Sequence, residues 1–187
     1  MTALDPVARV ASHRLRHRRR RPAYVPVLAI VAGWAAMFLA APHVRAGADV
    51  QRIALFVHLA ALVLGFGAVL TMDWFGLMWM LGRQDLVTLV RIAQVVHTPV
   101  WLGLGGLALS GVLLGPDTTA PLTVVKLLAV LAVAINGVGA AAVQRRLLAL
   151  GGRTPPVWLL LTAVFVATVS QAGWWTATVV GFLNAQR

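Results

Sequence analysis

Cysteine is absent from this 187-residue chain, and charge is scarce. Without cysteine there is no disulfide bond, no thiolate metal site and no cysteine nucleophile. Only 11% of the residues are charged, and Lys126 is the sole lysine beside fifteen arginines. Motifs for a nucleotide, a flavin or a hydrolytic nucleophile are also missing. The sequence therefore indicates no thiol-dependent, nucleotide-dependent or flavin-dependent enzyme.

Apolar residues are abundant instead, at 60% of the chain. So much apolar surface cannot be hidden in one soluble core, which predicts a membrane protein. Five apolar segments each reach about the ~20 residues that a spanning helix needs. They are 22–42, 53–81, 92–115, 121–143 and 156–183. We predict an all-α, polytopic integral membrane protein with five transmembrane helices, of which helices 2–5 form a bundle.

A basic tail precedes the first segment. Seven of the sixteen positive charges lie before Pro22, so residues 1–21 are predicted to be a basic cytoplasmic tail and 22–187 the transmembrane domain. The tail suits the anionic headgroups of a lipid bilayer. Lipid is therefore the expected partner of this charge, and nucleic acid is not.

Arginine counts predict the orientation in the membrane. The tail and the loops after the second and fourth segments hold twelve arginines, against three on the other side. The positive-inside rule then places the N-terminus in the cytoplasm and the C-terminus outside. A cleaved signal peptide is the competing interpretation of the first segment, because "VRAGAD" offers small residues to a peptidase.

Glycines in the second and third segments predict a close helix pair. They are Gly65, Gly67 and Gly76 in the second segment and Gly103, Gly105, Gly106 and Gly111 in the third. Small residues let membrane helices approach closely, so we expect these two helices to pack tightly. His58 shares a helical stripe with Gly65, and we therefore expect it on the close-packed face.

Polar residues inside the apolar segments fall into two predicted layers. A rise of ~1.5 Å per residue puts His58 and Lys126 at a depth of ~9 Å from the same side, and His97 at ~25 Å. The side chains of His58 and Lys126 can therefore contact each other. One metal ion cannot bind both His58 and His97, because these two histidines lie at different depths. The deeper group comprises Asp73, His97, Asn136 and Gln171.

The pair of His58 and Lys126 suggests a cofactor. Neutral imidazole is the commonest protein donor to transition metals, and it ligates haem iron. Burial among apolar neighbours disfavours the charged form of lysine, and the neutral amine has a lone pair to donate. The two side chains could thus hold a b-type haem between helices 2 and 4. The neutral lysine could also form a Schiff base with a carbonyl compound.

Each polar residue also has a structural interpretation. Lys126 is shallow enough for its ammonium to reach the headgroups while its stem lies along the helix. His58 could be a neutral core histidine bonded to a carbonyl, and His97 could repair the helix beside Pro99. Asp73 could pair with an arginine near the cytoplasmic edge, either Arg83 or Arg91.

Three stretches between residues 53 and 139 resemble a bacterial family. They are "FVHLAALVLGFGAVLTMDW", "HTPVWLGLGGLALSGVLL" and "PLTVVKLLAVLAVAINGV". They resemble the membrane-embedded protoporphyrinogen oxidase family of haem synthesis and, in outline, the copper-resistance D type of membrane protein. The resemblance implies a bacterial plasma membrane and roles in haem binding for His58 and Lys126. Two further histidines of the family pattern are missing, since residues 80–84 contain none and Asn136 occupies the other place.

The favoured function is therefore b-type haem binding, with His58 and Lys126 as axial ligands. It would serve electron transfer or porphyrin oxidation by a haem-dependent membrane oxidoreductase. The alternative is a cofactor-free helical subunit that stabilises a larger membrane complex or a homo-oligomer. A third interpretation is copper handling, in which methionine sulfurs join His97. The methionines would be Met72, Met78 and Met80.

Overall fold

Five long helices make up the structure, a computed structural model that describes residues 24–151 and 153–184. In those ranges there is no strand, and all five helices are long and apolar enough to cross a membrane. The chain is thus an all-α membrane protein with five transmembrane helices, as the sequence predicts. The predicted tail at 1–21 lies outside the described residues. The helices are α1 (Tyr24–Ala40, continued by a 3-10 turn at Ala41–His43), α2 (Ala48–Met80), α3 (Leu86–Leu113), α4 (Pro121–Ala149) and α5 (Val157–Asn184).

Several helices extend past the apolar segments that predict them. α2 begins at Ala48 rather than at residue 53, α3 begins at Leu86 rather than at 92, and α4 continues to Ala149 rather than to 143. The added turns carry polar side chains such as Arg52 and Gln144. Hydropathy detects only the part of a helix that lies in hydrocarbon, whereas helical hydrogen bonds continue through the headgroup region.

The helices α2 to α5 form a four-helix bundle in ring order. α2 packs mainly on α3, and α4 mainly on α5, while further contacts of α3 with α4 and of α2 with α5 close the ring. α2 and α4 therefore lie diagonally across the bundle. α1 lies outside this ring against α3 and α4, where the Trp34 indole N–H donates to the Leu127 carbonyl at 3.0 Å.

One apolar cluster joins all four helices of the bundle. The rings of Phe66 and Trp174 stack at its centre with centroids 5.6 Å apart and planes 6° apart. Stacked aromatic rings contribute ~0.5–1.5 kcal/mol beyond the burial of their area. The cluster ties the α2 and α3 hairpin to the α4 and α5 hairpin. Its members are Phe66 and Val69 on α2, Leu104 on α3, Val133 on α4 and Trp174 on α5.

Glycine lets α2 and α3 approach closely, as the sequence predicts. A Cβ atom on Gly103 would lie 2.6 Å from the backbone nitrogen of Gly65, and one on Gly106 would lie 2.7 Å from the Ala61 Cβ. No side chain fits between the two backbones at Gly103, so the contact requires glycine. Only part of the glycine pattern serves this contact, because open space surrounds Gly67, Gly76 and Gly105.

We expect Gly103→Ala to destabilise the protein, because its methyl group would meet the α2 backbone. Overpacking of this kind costs ~1–3 kcal/mol. Gly105→Ala is the matched control, since its methyl group would meet nothing within 4 Å. Thermal unfolding in detergent should give a lower Tm for Gly103→Ala and an unchanged or higher Tm for Gly105→Ala. Equal Tm values for both variants and wild type would contradict the glycine contact.

Candidate functional site

The predicted residues His58 and Lys126 lie at the same end of the bundle, here named the His58 end. α2 and α4 begin at this end, and α1, α3 and α5 finish there. His58 lies ten residues after Ala48, and Lys126 lies five residues after Pro121. No hydrogen bond joins them among the described residues.

His58 is bound to α3 by Ser110, a residue that the sequence analysis did not single out. The His58 Nδ1 lies 2.9 Å from the Ser110 Oγ. That hydroxyl donates in turn to the Gly106 carbonyl at 2.5 Å. A serine has one O–H to donate, so the hydroxyl accepts from His58 and Nδ1 carries the hydrogen. The lone pair of the neutral imidazole is then on Nε2.

Ser110 holds the ring because α2 and α3 are close together at this end. Ser110 is only 3% exposed, and its hydroxyl bonds back onto its own helix, as serine commonly does. A Cβ atom on Gly111 would lie 3.6 Å from the His58 Cε1, which is van der Waals distance. The imidazole is therefore held both by a hydrogen bond and by packing on α3.

Lys126 is partly buried and has no acidic partner in the described ranges. Two neighbouring helices, α1 and α5, contact α4 on either side of Lys126 in sequence. The Trp34 side chain of α1 donates to the Leu127 carbonyl, and the Asn184 amide of α5 donates to the Thr123 hydroxyl at 3.3 Å. An ammonium group in such a place is costly unless it reaches water, loses its proton or gains a partner.

Asp73 pairs with Gln171 rather than with an arginine. The Gln171 side-chain N–H donates to the Asp73 carboxyl where α2 meets α5. No ion pair joins Asp73 to Arg83 or Arg91 in the part of the chain that the structure describes. Those arginines are near Asp73 in sequence, but the helical turn directs its carboxyl toward α5 instead.

The remaining deep residues have separate partners. The Asn136 side chain donates to the Val166 carbonyl at 2.8 Å, which ties α4 to α5. His97 stands edge-on to Trp101, with ring centroids 6.1 Å apart. Across the described residues, no group of three or more His, Asp or Glu side chains could hold a metal ion. The deep layer is thus a set of local contacts and not one site.

The helix register separates His97 from two of the methionines in the copper interpretation. The Gly65 and Gly103 contact brings His97 level with about residue 71 of α2. Met78 and Met80 then lie ~10 Å or more along α2 from that level. Met80 is moreover 75% exposed. A copper site built from His97 and these two sulfurs is therefore not supported.

The structure adds Ser110, Thr123 and Asn184 to the residues found from sequence. Ser110 and Thr123 are both buried, and each accepts a hydrogen bond from another helix. Each is a polar residue in or at the end of an apolar segment. Such residues commonly hydrogen-bond across membrane helices, and this signal could have identified them.

Comparison of the chain with protein-family models, with curated proteins and with solved structures found no match in any of the three. No relative therefore supplies a function.

We expect Ser110→Ala to release the His58 ring while the protein stays folded. The loss of one hydrogen bond costs ~1 kcal/mol, and Nδ1 loses its hydroxyl acceptor, so the imidazole should populate both tautomers. Nitrogen-15 spectra of histidine-labelled protein measure this, because protonated and unprotonated ring nitrogens differ widely in chemical shift. Ser170→Ala, at a serine on α5, is the control. Identical His58 signals in wild type and Ser110→Ala would contradict the assigned hydrogen bond.

Proposed function

We propose that this protein binds a b-type haem inside the membrane, with Nε2 of His58 as one axial ligand. The hydrogen bond from Nδ1 to Ser110 is the observation that carries this proposal. Metal-binding histidines almost always donate the other ring N–H to a nearby acceptor, which sets the tautomer and the ring orientation. His58 has this arrangement within a spanning helix.

Lys126 is the proposed second axial ligand. It lies at the same end of the bundle as the imidazole, on the helix diagonally opposite. A lysine amine that has lost its proton can donate its lone pair, and ligation would remove the cost of an ammonium among apolar side chains. One imidazole and one amine at the same end of the bundle, on α2 and α4, are a donor set whose chemistry would suit haem iron.

The proposed activity is electron transfer or porphyrin oxidation by a membrane oxidoreductase. When bound, the haem supplies one-electron redox chemistry. The chain itself supplies His58 and Lys126 as ligands, Ser110 to orient the imidazole, and apolar helices that exclude water. The resemblance to the membrane-embedded protoporphyrinogen oxidase family supports the same two residues as the ones that bind haem.

We place the protein in a bacterial plasma membrane, with the His58 end outside. The positive-inside rule supports this orientation. In the described ranges, Arg45 and Arg52 are the arginines at the His58 end. More arginines lie at or near the opposite end: Arg83, Arg91, Arg145, Arg146 and Arg153.

A cofactor-free subunit of a larger membrane complex is the second candidate. Two cavities of about 210 and 220 Å³ open on the described structure, and neither His58 nor Lys126 lines them. Both are smaller than the ~300–1,000 Å³ of most ligand pockets. α1 moreover has no buried residue, which leaves apolar surface for a partner helix.

The absorption spectrum of the purified full chain in detergent tests haem binding. It is recorded as isolated and after addition of haemin, before and after reduction with dithionite, with a pyridine haemochrome assay for stoichiometry. We expect a Soret band, with α and β bands that sharpen on reduction. His58→Ala should abolish these bands, and Lys126→Met should shift them because one axial ligand is lost.

His43→Ala is the matched control for the loss of a histidine. His43 is exposed at the same end, where its Nδ1 lies 3.1 Å from the Leu39 carbonyl of the same helix. This variant should bind haem as wild type does. Wild-type protein that stays colourless after haemin, or haem binding by His58→Ala equal to wild type, would contradict the proposal and favour the subunit role.

A further inference from the structure

Asp73 is the one acidic side chain that the described structure places inside the apolar part of a spanning helix. Its carboxyl accepts a hydrogen bond from the Gln171 side chain. Neither residue takes part in the proposed haem site. The other described aspartates lie at helix ends or in a loop: Asp49 in the first turn of α2, Asp85 at the start of α3 and Asp117 between α3 and α4.

The position of Gln171 fixes the depth of this pair. Gln171 lies 14 residues after Val157 and 13 residues before Asn184, in the middle of α5. At ~1.5 Å per residue, each end of the helix is ~20 Å away. The hydrocarbon core of a bilayer is ~30 Å thick, so the middle of a spanning helix is within it. Asp73 itself lies seven residues, or ~10 Å, before the end of α2 at Met80, so its carboxyl lies in the half of the hydrocarbon nearer to that end.

No positive charge neutralises Asp73 among the described residues. α5 has no ionisable residue between Val157 and Asn184. On α2, His58 lies ~22 Å away along the helix. On α3, His97 is about level with Asp73, but it packs edge-on against Trp101 and forms no ion pair with Asp73. By the register of the Gly65 and Gly103 contact, Arg91 of α3 is about level with residue 77 of α2, ~6 Å along the axis from Asp73. The other cations of α3, of α4 and of the loop after α2 form no ion pair with Asp73: Arg83, Arg91, Lys126, Arg145 and Arg146.

We infer that Asp73 and Gln171 form a proton-binding site, in which Asp73 holds a proton as a neutral carboxylic acid at neutral pH. A lone carboxylate in hydrocarbon is so costly that such a group binds a proton instead. The Gln171 N–H that bonds to Asp73 can donate to either form of the carboxyl, and the acceptor oxygen of the same amide could receive the O–H of the neutral acid. Carboxyl groups in this setting serve membrane proteins as stations for protons.

Infrared spectroscopy of the full chain in lipid tests this site. A protonated carboxyl has a C=O band separate from the amide and carboxylate bands. All five acidic residues of the chain are aspartates, so carbon-13 in the aspartate side-chain carboxyl shifts every acidic side-chain band. At neutral pH we expect a protonated-aspartate band that moves on labelling and in heavy water. The band should be lost in Asp73→Asn and move to higher frequency in Gln171→Leu, where the carbonyl loses its donor.

Asp49→Asn is the matched control. Asp49 is exposed and pairs with Arg52 at 2.9 Å, so its loss should leave the band unchanged. Two other aspartates should add no such band. The backbone N–H of Thr88 holds the pKa of Asp85 below its ordinary value, and the side chain of Thr119 lowers the pKa of Asp117.

The infrared spectrum of the labelled wild-type protein tests for a protonated aspartate even if a variant does not fold. A wild type with no protonated-aspartate band at neutral pH would overturn the inference, and so would a band that persists in Asp73→Asn. The measurement does not depend on haem, so the two proposals can fail independently.

Discussion

The backbone contact between α2 and α3 at Gly65 and Gly103 is the constraint on which the site depends. It allows no Cβ atom between the helices, and so it fixes both their distance and their register. The same register continues toward the His58 end through two further pairs, Ala61 with Gly106 and His58 with Ser110. The orientation of the imidazole is thus a consequence of a glycine contact about two turns away.

Packing of the two hairpins rests on a second contact, between Phe66 and Trp174. Trp174 is 2% exposed, and its Nε1 has no hydrogen-bond partner in the described structure. An unpaired buried donor costs ~1–3 kcal/mol, while the stacked rings and the buried area of a tryptophan offset that cost. The dense packing around Trp174 at the centre of the bundle therefore offsets the cost of its one unpaired N–H.

Hydrocarbon provides no water to satisfy polar side chains, so most of those inside the bundle find a partner on another helix. His58 bonds to Ser110, Asp73 to Gln171 and Asn136 to the Val166 carbonyl. Lys126 differs, because it forms no hydrogen bond or ion pair with the residues that the structure describes. Its ammonium must therefore reach the headgroups, lose its proton or gain a bound group as a partner.

The sequence by itself determined the five spans, the glycine approach of α2 and α3 and the location of His58 and Lys126 toward the same end of the bundle. These follow from the length of apolar runs, from small residues at helical spacing and from the constant rise of a helix. Haem binding stays a prediction at these two residues. Only the tertiary structure decided that Ser110 is the partner of His58, that Gln171 rather than an arginine meets Asp73, and that α2 and α4 are diagonal. The reason is that the rotation of each helix about its axis, and the choice of its neighbours, depend on packing between residues far apart in the chain.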